Sequence, residues 1–286
     1  MRKMCVSLLM AFTLMQLSAQ EKNYFASTPS LSPDGLTAYF SYDGDIWKVP
    51  ADGGTATRIT ALEGEEINPR VSPDGKWLAF SSNQFGNYDV YVMPVTGGKI
   101  TQLTFHTAKD EVENWSWDSR TIYFTSDRDR RFGSFSIDVN GGTPKSLFSH
   151  YFNTTNGLAE TPSGEYIFTI SSESAQQAAR KRYKGENNPD LLGYNPKTGS
   201  FHRYTTYQGK DFNATVDRNG TIYFISDEDT DEYNLFRLQN GAKQALTKYP
   251  TSIKKPFVSA QGNKVIFEKD YSLYIYDVAS NAVAPI

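Results

Sequence analysis

Short apolar stretches rich in aromatic residues alternate with polar turns along this chain, and one such pattern recurs six times. In the second copy, the turn Ser-Pro-Asp-Gly at residues 72–75 precedes an apolar stretch at 78–80, a stretch beginning at Asp89, a Gly-Gly pair and a stretch ending in Thr104. Proline fixes φ, aspartate bonds its own backbone and glycine accepts positive φ, so Pro-Asp-Gly predicts a tight turn. The aromatic and β-branched stretches predict strands. Each copy therefore predicts four short strands.

A repeat of about 40 to 45 residues with four strands is typical of a β-propeller blade. The copies lie near residues 29–60, 68–104, 112–148, 157–205, 211–247 and 253–286. We therefore predict an all-β fold, a six-bladed β-propeller of four-stranded antiparallel blades, over residues 21–286. Every copy contains its four strands in one continuous segment, so we expect no strand to be exchanged between the chain termini. The ring would then close by side-chain packing between the first and last blades.

Aromatic side chains recur in the third predicted strand of most copies. They are Trp47, Tyr91, Phe135, Phe236 and Tyr274. One blade cannot bury both of its faces alone, so stacked blades bury such side chains between them. We predict that these residues pack between blades and do not form a ligand-binding stripe.

The N-terminal segment has the composition of an export signal. A basic start is followed by an apolar run that is too short to span a bilayer and by small residues before Gln20. Residues 1–19 are thus expected to be a signal peptide, which places the mature protein in the periplasm or outside the cell. Cys5 is the single cysteine and lies inside this segment. The mature chain would have neither disulfides nor a thiol nucleophile.

Charge and motif content argue against several classes of function. The formal net charge is −3 and no basic stripe is present, which argues against a nucleic-acid partner. The Gly-x-Ser-x-Gly motif of α/β-hydrolases is absent. His106, His150 and His202 have no histidine or cysteine at metal-ligand spacing. We expect no catalytic residue, no metal site and no cofactor in this chain.

An acidic run at residues 227–232 partly matches the start of an EF-hand calcium loop. Glu232 stands where that loop needs glycine, and Leu238 stands where it needs a bidentate glutamate. We therefore interpret the run as a solvated hairpin loop of the fifth copy.

The fourth copy departs from the repeat by an insertion of about a dozen residues between its second and third strands. It includes Arg180, Arg182, Tyr183 and Lys184, which are the candidate binding residues. Cations beside an aromatic ring can receive a peptide carboxylate or dock a neighbouring domain. The alternative is a surface charge run without a specific partner.

Several further motifs, taken in order along the chain, carry a family resemblance. They lie at residues 31–35, 44–50, 84–87, 110–113, 180–185 and 269–271. With these motifs the chain resembles the N-terminal six-bladed propeller of bacterial tricorn-like serine peptidases. Single Ser-Pro-Asp-Gly copies are shared with TolB propellers. The resemblance implies that a second propeller, a PDZ domain and catalytic domains follow, and that the first propeller serves as a passage or filter for peptides. No position here matches a catalytic residue of that family.

Three functions remain open at this point. The first is a non-catalytic module of an exported tricorn-like serine peptidase, which guides peptides or docks domains. The second is a free-standing TolB-like propeller that binds proteins of the cell envelope. The third is the propeller of a prolyl-oligopeptidase-like hydrolase. The expected partners are peptides, the downstream peptidase and PDZ domains or envelope proteins, and a homo-oligomer is possible.

Overall fold

The computed structural model describes residues 24–129, 132–148, 154–170 and 181–286. Within these ranges, strands form six four-stranded antiparallel sheets, and each sheet consists of four consecutive strands. No helix in the described ranges has the length and apolar character needed to cross a membrane. The predicted all-β, six-bladed propeller is confirmed.

The sheets are numbered as blades one to six in chain order. Blade one contains β1 (Ser27–Leu31), β2 (Thr37–Tyr42), β3 (Asp45–Pro50) and β4 (Thr57–Arg58). Blade two contains β5 (Glu66–Val71), β6 (Trp77–Ser82), β7 (Asp89–Pro94) and β8 (Thr101–Gln102). Blade three contains β9 (Asp110–Trp115), β10 (Thr121–Ser126), β11 (Gly133–Asp138) and β12 (Lys145–Ser146).

The second half of the ring repeats this arrangement. Blade four contains β13 (Thr155–Glu160), β14 (Tyr166–Ile170), β15 (Leu192–Asn195) and β16 (Ser200–Arg203). Blade five contains β17 (Asp211–Val216), β18 (Ile222–Ser226), β19 (Asn234–Gln239) and β20 (Ala242–Ala245). Blade six contains β21 (Lys254–Val258), β22 (Lys264–Lys269), β23 (Ser272–Asp277) and β24 (Ala282–Pro285).

The Ser-Pro-Asp-Gly motif forms the turn between the first two strands of a blade. In blade two, the Ser72 hydroxyl donates to Asp74 Oδ1 at 2.6 Å and accepts from the Trp77 amide at 3.0 Å. The Lys76 amide also donates to Asp74 Oδ1, at 3.1 Å, while Gly75 adopts a φ of +74°. The serine and aspartate satisfy backbone groups that the tight turn would otherwise leave unpaired.

The aspartate that begins the third strand and the threonine after the fourth strand form a second repeated contact. The Thr104 hydroxyl accepts from the Val90 amide at 2.9 Å and donates to Asp89 Oδ1 at 3.0 Å. Burial raises the pKa of Asp89 to about 6. Asn234 and Thr247 make the same contacts in blade five. This contact closes the outer corner of the blade.

Six hydrophobic clusters form the core, and each combines residues of two consecutive blades, with blade six packing on blade one. Tyr91, Phe135 and Phe236 are buried in these clusters. Trp47 and Tyr274 are partly buried against them. The prediction that these aromatic residues pack between blades is confirmed.

The ring closes without strand exchange among the described residues. Strand β1 pairs with β2 of its own blade. Between blades six and one, the Asn263 side-chain amide donates to the Asp34 carbonyl at 2.8 Å, and the Phe25 amide donates to the Tyr271 carbonyl at 2.8 Å. Apolar packing, including Leu31 against Ile266, completes this junction. The predicted closure by packing is confirmed.

The up-and-down order of the strands gives the propeller two distinct faces. We call the loop face the one that carries the connections from second to third strands and from one blade to the next. The turn face carries the Ser-Pro-Asp-Gly turns. The first strands of neighbouring blades contact one another around the axis, so they form the wall of a central channel.

Candidate functional site: the axial channel

The axial channel differs between its two ends. The half nearer the loop face is a cavity of about 310 Å³, whereas the half nearer the turn face encloses about 40 Å³. Charged side chains line the wider half: Arg70, Lys109, Glu111, Glu113 and Lys255. Mostly apolar side chains line the narrow half, with Glu160 beside them: Leu31, Val71, Trp115, Val216 and Val258. The channel therefore has a polar mouth and a narrow apolar end.

A β-bulge interrupts the first strand of every blade. In five blades the first bulged residue has a positive φ: Thr28, Asn68, Gly157, Asn213 and Lys255. Proline follows directly in three of them, as Pro29, Pro69 and Pro256. Bulges redirect backbone groups away from the strand ladder. Here the bulges turn backbone amides towards side chains of neighbouring blades at the channel wall.

Glu113 of blade three occupies the bulge of blade four. Its carboxylate accepts from the Gly157 amide at 2.6 Å and from the Leu158 amide at 3.0 Å. Burial raises the pKa of Glu113, and the two amide bonds oppose that shift. A carboxylate from one blade thus satisfies two channel-facing amides of the next blade.

Arg70 contributes a positive charge to the channel wall. Its Nε donates to the Glu113 carbonyl at 2.9 Å and its Nη1 to the Pro69 carbonyl at 2.8 Å, while the guanidinium lies 4.9 Å from the Phe257 ring centroid. Burial lowers the pKa of Arg70 to about 10. Among the described residues, no carboxylate lies within ion-pair distance of Arg70. Its charge is therefore held by carbonyls and an aromatic face.

Two further bulges are satisfied by neighbouring side chains. Glu268 Oε1 of blade six accepts from the Thr28 amide at 2.6 Å. The Thr28 hydroxyl accepts from the Asn68 amide of blade two at 3.1 Å. A side chain of blade six thus accepts from a bulge amide of blade one, and a side chain of blade one accepts from a bulge amide of blade two.

The described candidate residues of the blade-four insertion, Arg182, Tyr183 and Lys184, are not among the residues that line the channel. Arg180 falls outside the described residues. Arg182 lies 3.6 Å from Glu232 Oε1, and Lys184 lies 3.4 Å from Asp231 Oδ1. Lys181 makes the shortest of these ion pairs, 2.7 Å to Glu232. The structure brings the basic segment of blade four against the acidic loop of blade five.

That acidic loop is less solvated than its composition indicates. Asp227 is fully buried and accepts from the Lys210 amide at 2.8 Å. Glu232 is largely buried, and its carboxylate also accepts from the Ser252 hydroxyl at 2.5 Å. The interpretation as a solvated hairpin loop is wrong for these two residues, because each has a partner from outside the loop.

Tyr183 is half-buried beside the loop, with its hydroxyl folded towards Gly185. The Asn188 side-chain amide donates to the Tyr183 carbonyl at 2.6 Å. The side chains of Arg182 and Lys184 remain 67% and 46% exposed. Their role in docking or peptide binding stays a prediction.

The described histidines lie away from the channel. His106 is exposed, and its Nδ1 accepts from the Ala108 amide at 3.0 Å. His202 lies on β16 with its Nε2 at 3.2 Å from Glu165 Oε1. His150 lies outside the described residues. Within the described ranges, no group of three metal-ligating side chains is found.

Exposed aromatic side chains lie on the loop face. They are Phe25, Phe85, Phe105 and Tyr271, each at least 70% exposed. Exposed apolar side chains that share one face are typical of protein contact surfaces. Sequence reasoning missed both these residues and the channel bulges. The repeated proline before the first turn of blades one, two and six was the signal that could have revealed the bulges.

Fold and site together define a six-bladed propeller whose axial channel is wide and polar at the loop face and narrow at the turn face. The chain belongs to the family of the tricorn protease N-terminal β-propeller domain, whose model matches residues 23–282.

Similar proteins agree with this assignment. Tricorn protease homolog 1 of Streptomyces coelicolor is 38% identical over 58 residues, which cover 20% of this chain and 5% of that protein. A TolB homolog of Chlorobium luteolum is 33% identical over 78 residues, covering 26% of this chain and 18% of that protein. The crystal structure of the tricorn protease matches with a TM-score of 0.74 at 16% identity, over 92% of this chain and 26% of that one. The chain thus spans a small part of the length of these relatives.

Proposed function

We propose that this chain is the non-catalytic propeller module of an exported tricorn-like serine peptidase, and that its axial channel guides peptides. The observation that carries the proposal is the asymmetric channel, with backbone amides and charged side chains at a wide mouth. Such groups bind the carbonyls and carboxylates of an extended peptide without selecting its side chains. The narrow apolar end favours entry of a peptide end from the loop face.

The loop face is also the proposed docking surface for the neighbouring peptidase or PDZ domain. Phe25, Phe85, Phe105 and Tyr271 supply apolar area, and the blade-four segment with Arg182 and Lys184 adds positive charge. Interfaces combine an aromatic centre with a polar rim in this way. Export is proposed from the signal-like composition of residues 1–19.

A free-standing TolB-like protein that binds envelope proteins is the second candidate. The match to the TolB homolog of Chlorobium luteolum supports it. Analysis of the native protein from its own cells separates the two candidates. A product of the propeller's own mass favours the TolB-like function, whereas a much larger product that hydrolyses peptides favours the peptidase module.

The channel proposal is tested by filling the channel waist. Asn114 lines both halves of the channel, so Asn114→Trp narrows it, whereas Asn140→Trp adds the same side chain at an exposed turn. The probe is a pool of casein tryptic peptides labelled with fluorescein at the amino end, followed by fluorescence anisotropy. Wild type and Asn140→Trp should bind equally and Asn114→Trp at least about tenfold more weakly. Equal binding by all three, with equal melting temperatures, would contradict the proposal.

The same preparation should not cleave peptides. No serine of the described chain lies in a hydrogen-bonded arrangement with a histidine and a carboxylate, as a serine nucleophile requires. Incubation of the purified chain with unlabelled casein, followed by mass spectrometry, is expected to show no fragments. Cleavage that persists through further purification and stops with a serine-directed inhibitor would overturn the assignment as non-catalytic.

A further inference from the structure

The bulges of blades four and five have the same backbone geometry. Gly157 and Asn213 occupy the third position of six-residue strands, with φ of +67° and +54°. Leu158 and Ala214 follow, and neither is proline, so each of these two bulges carries two amide N–H groups. In blade four both N–H groups donate to the Glu113 carboxylate. The channel-facing direction of these amides is thereby established for this geometry.

In the described part of the chain, the bulge of blade five has no such side-chain partner. Among the described residues, no side chain accepts a hydrogen bond from the amides of Asn213 or Ala214. Leu158 of blade four occupies the fourth strand position, where Glu113 stands in blade three. Its side chain is buried against Tyr123 and Phe168, so it supplies no acceptor. Among the described residues, these two blade-five amides therefore lack a side-chain acceptor like Glu113, and we call this the open bulge.

Lys255 of blade six lines the same cavity as this open bulge. Within the described residues, its ammonium group makes no hydrogen bond and no ion pair. Glu111, Glu113 and Glu268 act on it only at longer range, and burial lowers its pKa. An ammonium group that is partly withdrawn from water without a direct counterion gains from a carboxylate brought to it.

The charges around the cavity balance, so an anion would be favoured by the positions of Lys255 and the blade-five amides and not by net charge. Arg70, Lys109 and Lys255 line the cavity with Glu111 and Glu113, and Glu268 acts on both Lys255 and Arg70. Glu113 is already engaged by two amides, and Arg70 by carbonyls. Backbone amides at such a concavity add further positive potential.

We infer that the open bulge of blade five, formed by the amides of Asn213 and Ala214 together with Lys255, binds a carboxylate of a peptide in the axial channel. The ligand carboxylate takes the place in blade five that Glu113 holds in blade four. Both a C-terminal carboxylate and an aspartate or glutamate side chain carry this chemistry. The inference rests on the proposed peptide-binding channel and names the group that the channel recognises.

Three short peptides test the ligand chemistry. They are N-acetyl-tetraalanine with a free carboxylate, its C-terminal amide, and the amidated peptide acetyl-Ala-Ala-Glu-Ala. Affinity is measured by nuclear magnetic resonance titration of the full chain. We expect the free acid to bind at least about tenfold more tightly than the tetraalanine amide. If the glutamate peptide binds as tightly as the free acid, the site also accepts side-chain carboxylates. If the glutamate peptide binds as weakly as the tetraalanine amide, the site accepts only a C-terminal carboxylate.

Two variants remove the proposed ligands separately. Ala214→Pro deletes one amide, and Pro29, Pro69 and Pro256 show that the bulge accepts proline at this position. Lys255→Met removes the ammonium group and keeps most of the side-chain length. Lys76→Met, at an exposed turn on the opposite face, is the matched control. We expect the first two variants to bind the acid at least about tenfold more weakly than wild type does. The control variant should bind it with the affinity of wild type.

The outcomes separate this inference from the proposed function. Equal binding of acid, glutamate peptide and amide, unchanged in Ala214→Pro and Lys255→Met, would overturn the carboxylate site while leaving a peptide-binding channel. Absence of binding by all three peptides and by the casein peptide pool would overturn both. Melting temperatures of the variants that are not below that of wild type confirm that the fold is intact.

Discussion

Blades four and five present equivalent bulges to the axial channel, and their surroundings differ in one respect. Glu113 reaches from blade three and satisfies both amides of blade four, whereas the described chain offers no side-chain acceptor to the amides of Asn213 and Ala214. The repeated blade supplies a first-strand bulge six times, five of them with a positive φ. Single side chains from neighbouring blades then decide which copies serve stability and which remain available to a ligand.

The largest expected effect is on stability at the filled bulge. Glu113→Ala leaves two channel amides and the nearby Arg70 without their carboxylate neighbour, and hydrogen bonds to charged groups contribute roughly 1.5–3 kcal/mol each. Removing the carboxylate also removes the cost of burying it, so we expect the free energy of unfolding in urea to fall by about 2–3 kcal/mol and not by the full value of two such bonds. Glu111→Ala, on the same strand and without a side-chain hydrogen bond among the described residues, should change it by about 0.5 kcal/mol or less. Equal effects of the two changes would show that the filled bulge is not a stabilising contact.

Blades two and five offer a second matched pair, at the start of the third strand. Asp89 has a pKa raised to about 6 by burial, so the folded state holds its proton more tightly than the unfolded state does. Its contribution to stability is therefore full below about pH 4 and is lost as pH rises through about 6. Asn234 performs the same bonding without a charge. In the wild type, the free energy of unfolding should therefore fall by on the order of 2 kcal/mol between about pH 4 and 6 because of Asp89. In Asp89→Asn, this pH-dependent fall should be absent when unfolding is measured over the same range. An unchanged pH profile would contradict the assignment to Asp89.

Ala214→Pro is expected to have a smaller effect of the opposite sign. Where the native backbone accepts proline, the substitution restricts the unfolded chain and stabilises by roughly 0.4–1 kcal/mol. An amide that already had an intramolecular acceptor would instead lose a bond. Chemical unfolding of this variant thus tests directly whether the bulge of blade five is open. A loss of more than about 1 kcal/mol would indicate that its amide has a partner.

The sequence predicts the parts of this molecule that depend on neighbours along the chain. The turn at residues 72–75 lies within one blade, so a local pattern reveals it. The contact between Asp89 and Thr104 also lies within one blade, but it was not predicted, although both residues were recognised as parts of the repeat. The channel site was not predicted, because the partner of Gly157 lies 44 residues earlier, on another blade. Its existence depends on closure of the ring. The blade-four cations were recognised, but their pairing with Glu232 also joins two blades.

The smallest expected effect is at that pairing on the rim. Arg182 is 67% exposed and lies 3.6 Å from Glu232, so water and salt screen the interaction. Arg182→Ala should lower the free energy of unfolding by at most about 1 kcal/mol, and high salt should remove the difference. Binding of the proposed peptidase domains, expressed separately, is the functional readout. Unchanged binding by a double Arg180→Ala, Arg182→Ala variant would leave the segment as a surface charge run.

The most direct test of the proposed peptide-binding channel is to map bound peptide onto the backbone by amide chemical shifts. Acetyl-tetraalanine with a free carboxylate is titrated into the deuterated chain, and the shift of each amide is followed. The largest changes should occur at Asn213 and Ala214, with saturation at one affinity and little change at the filled bulge of Gly157 and Leu158. Changes confined to the turn face or to the outer strands, with the amides of blade five unmoved, would contradict peptide binding in the channel.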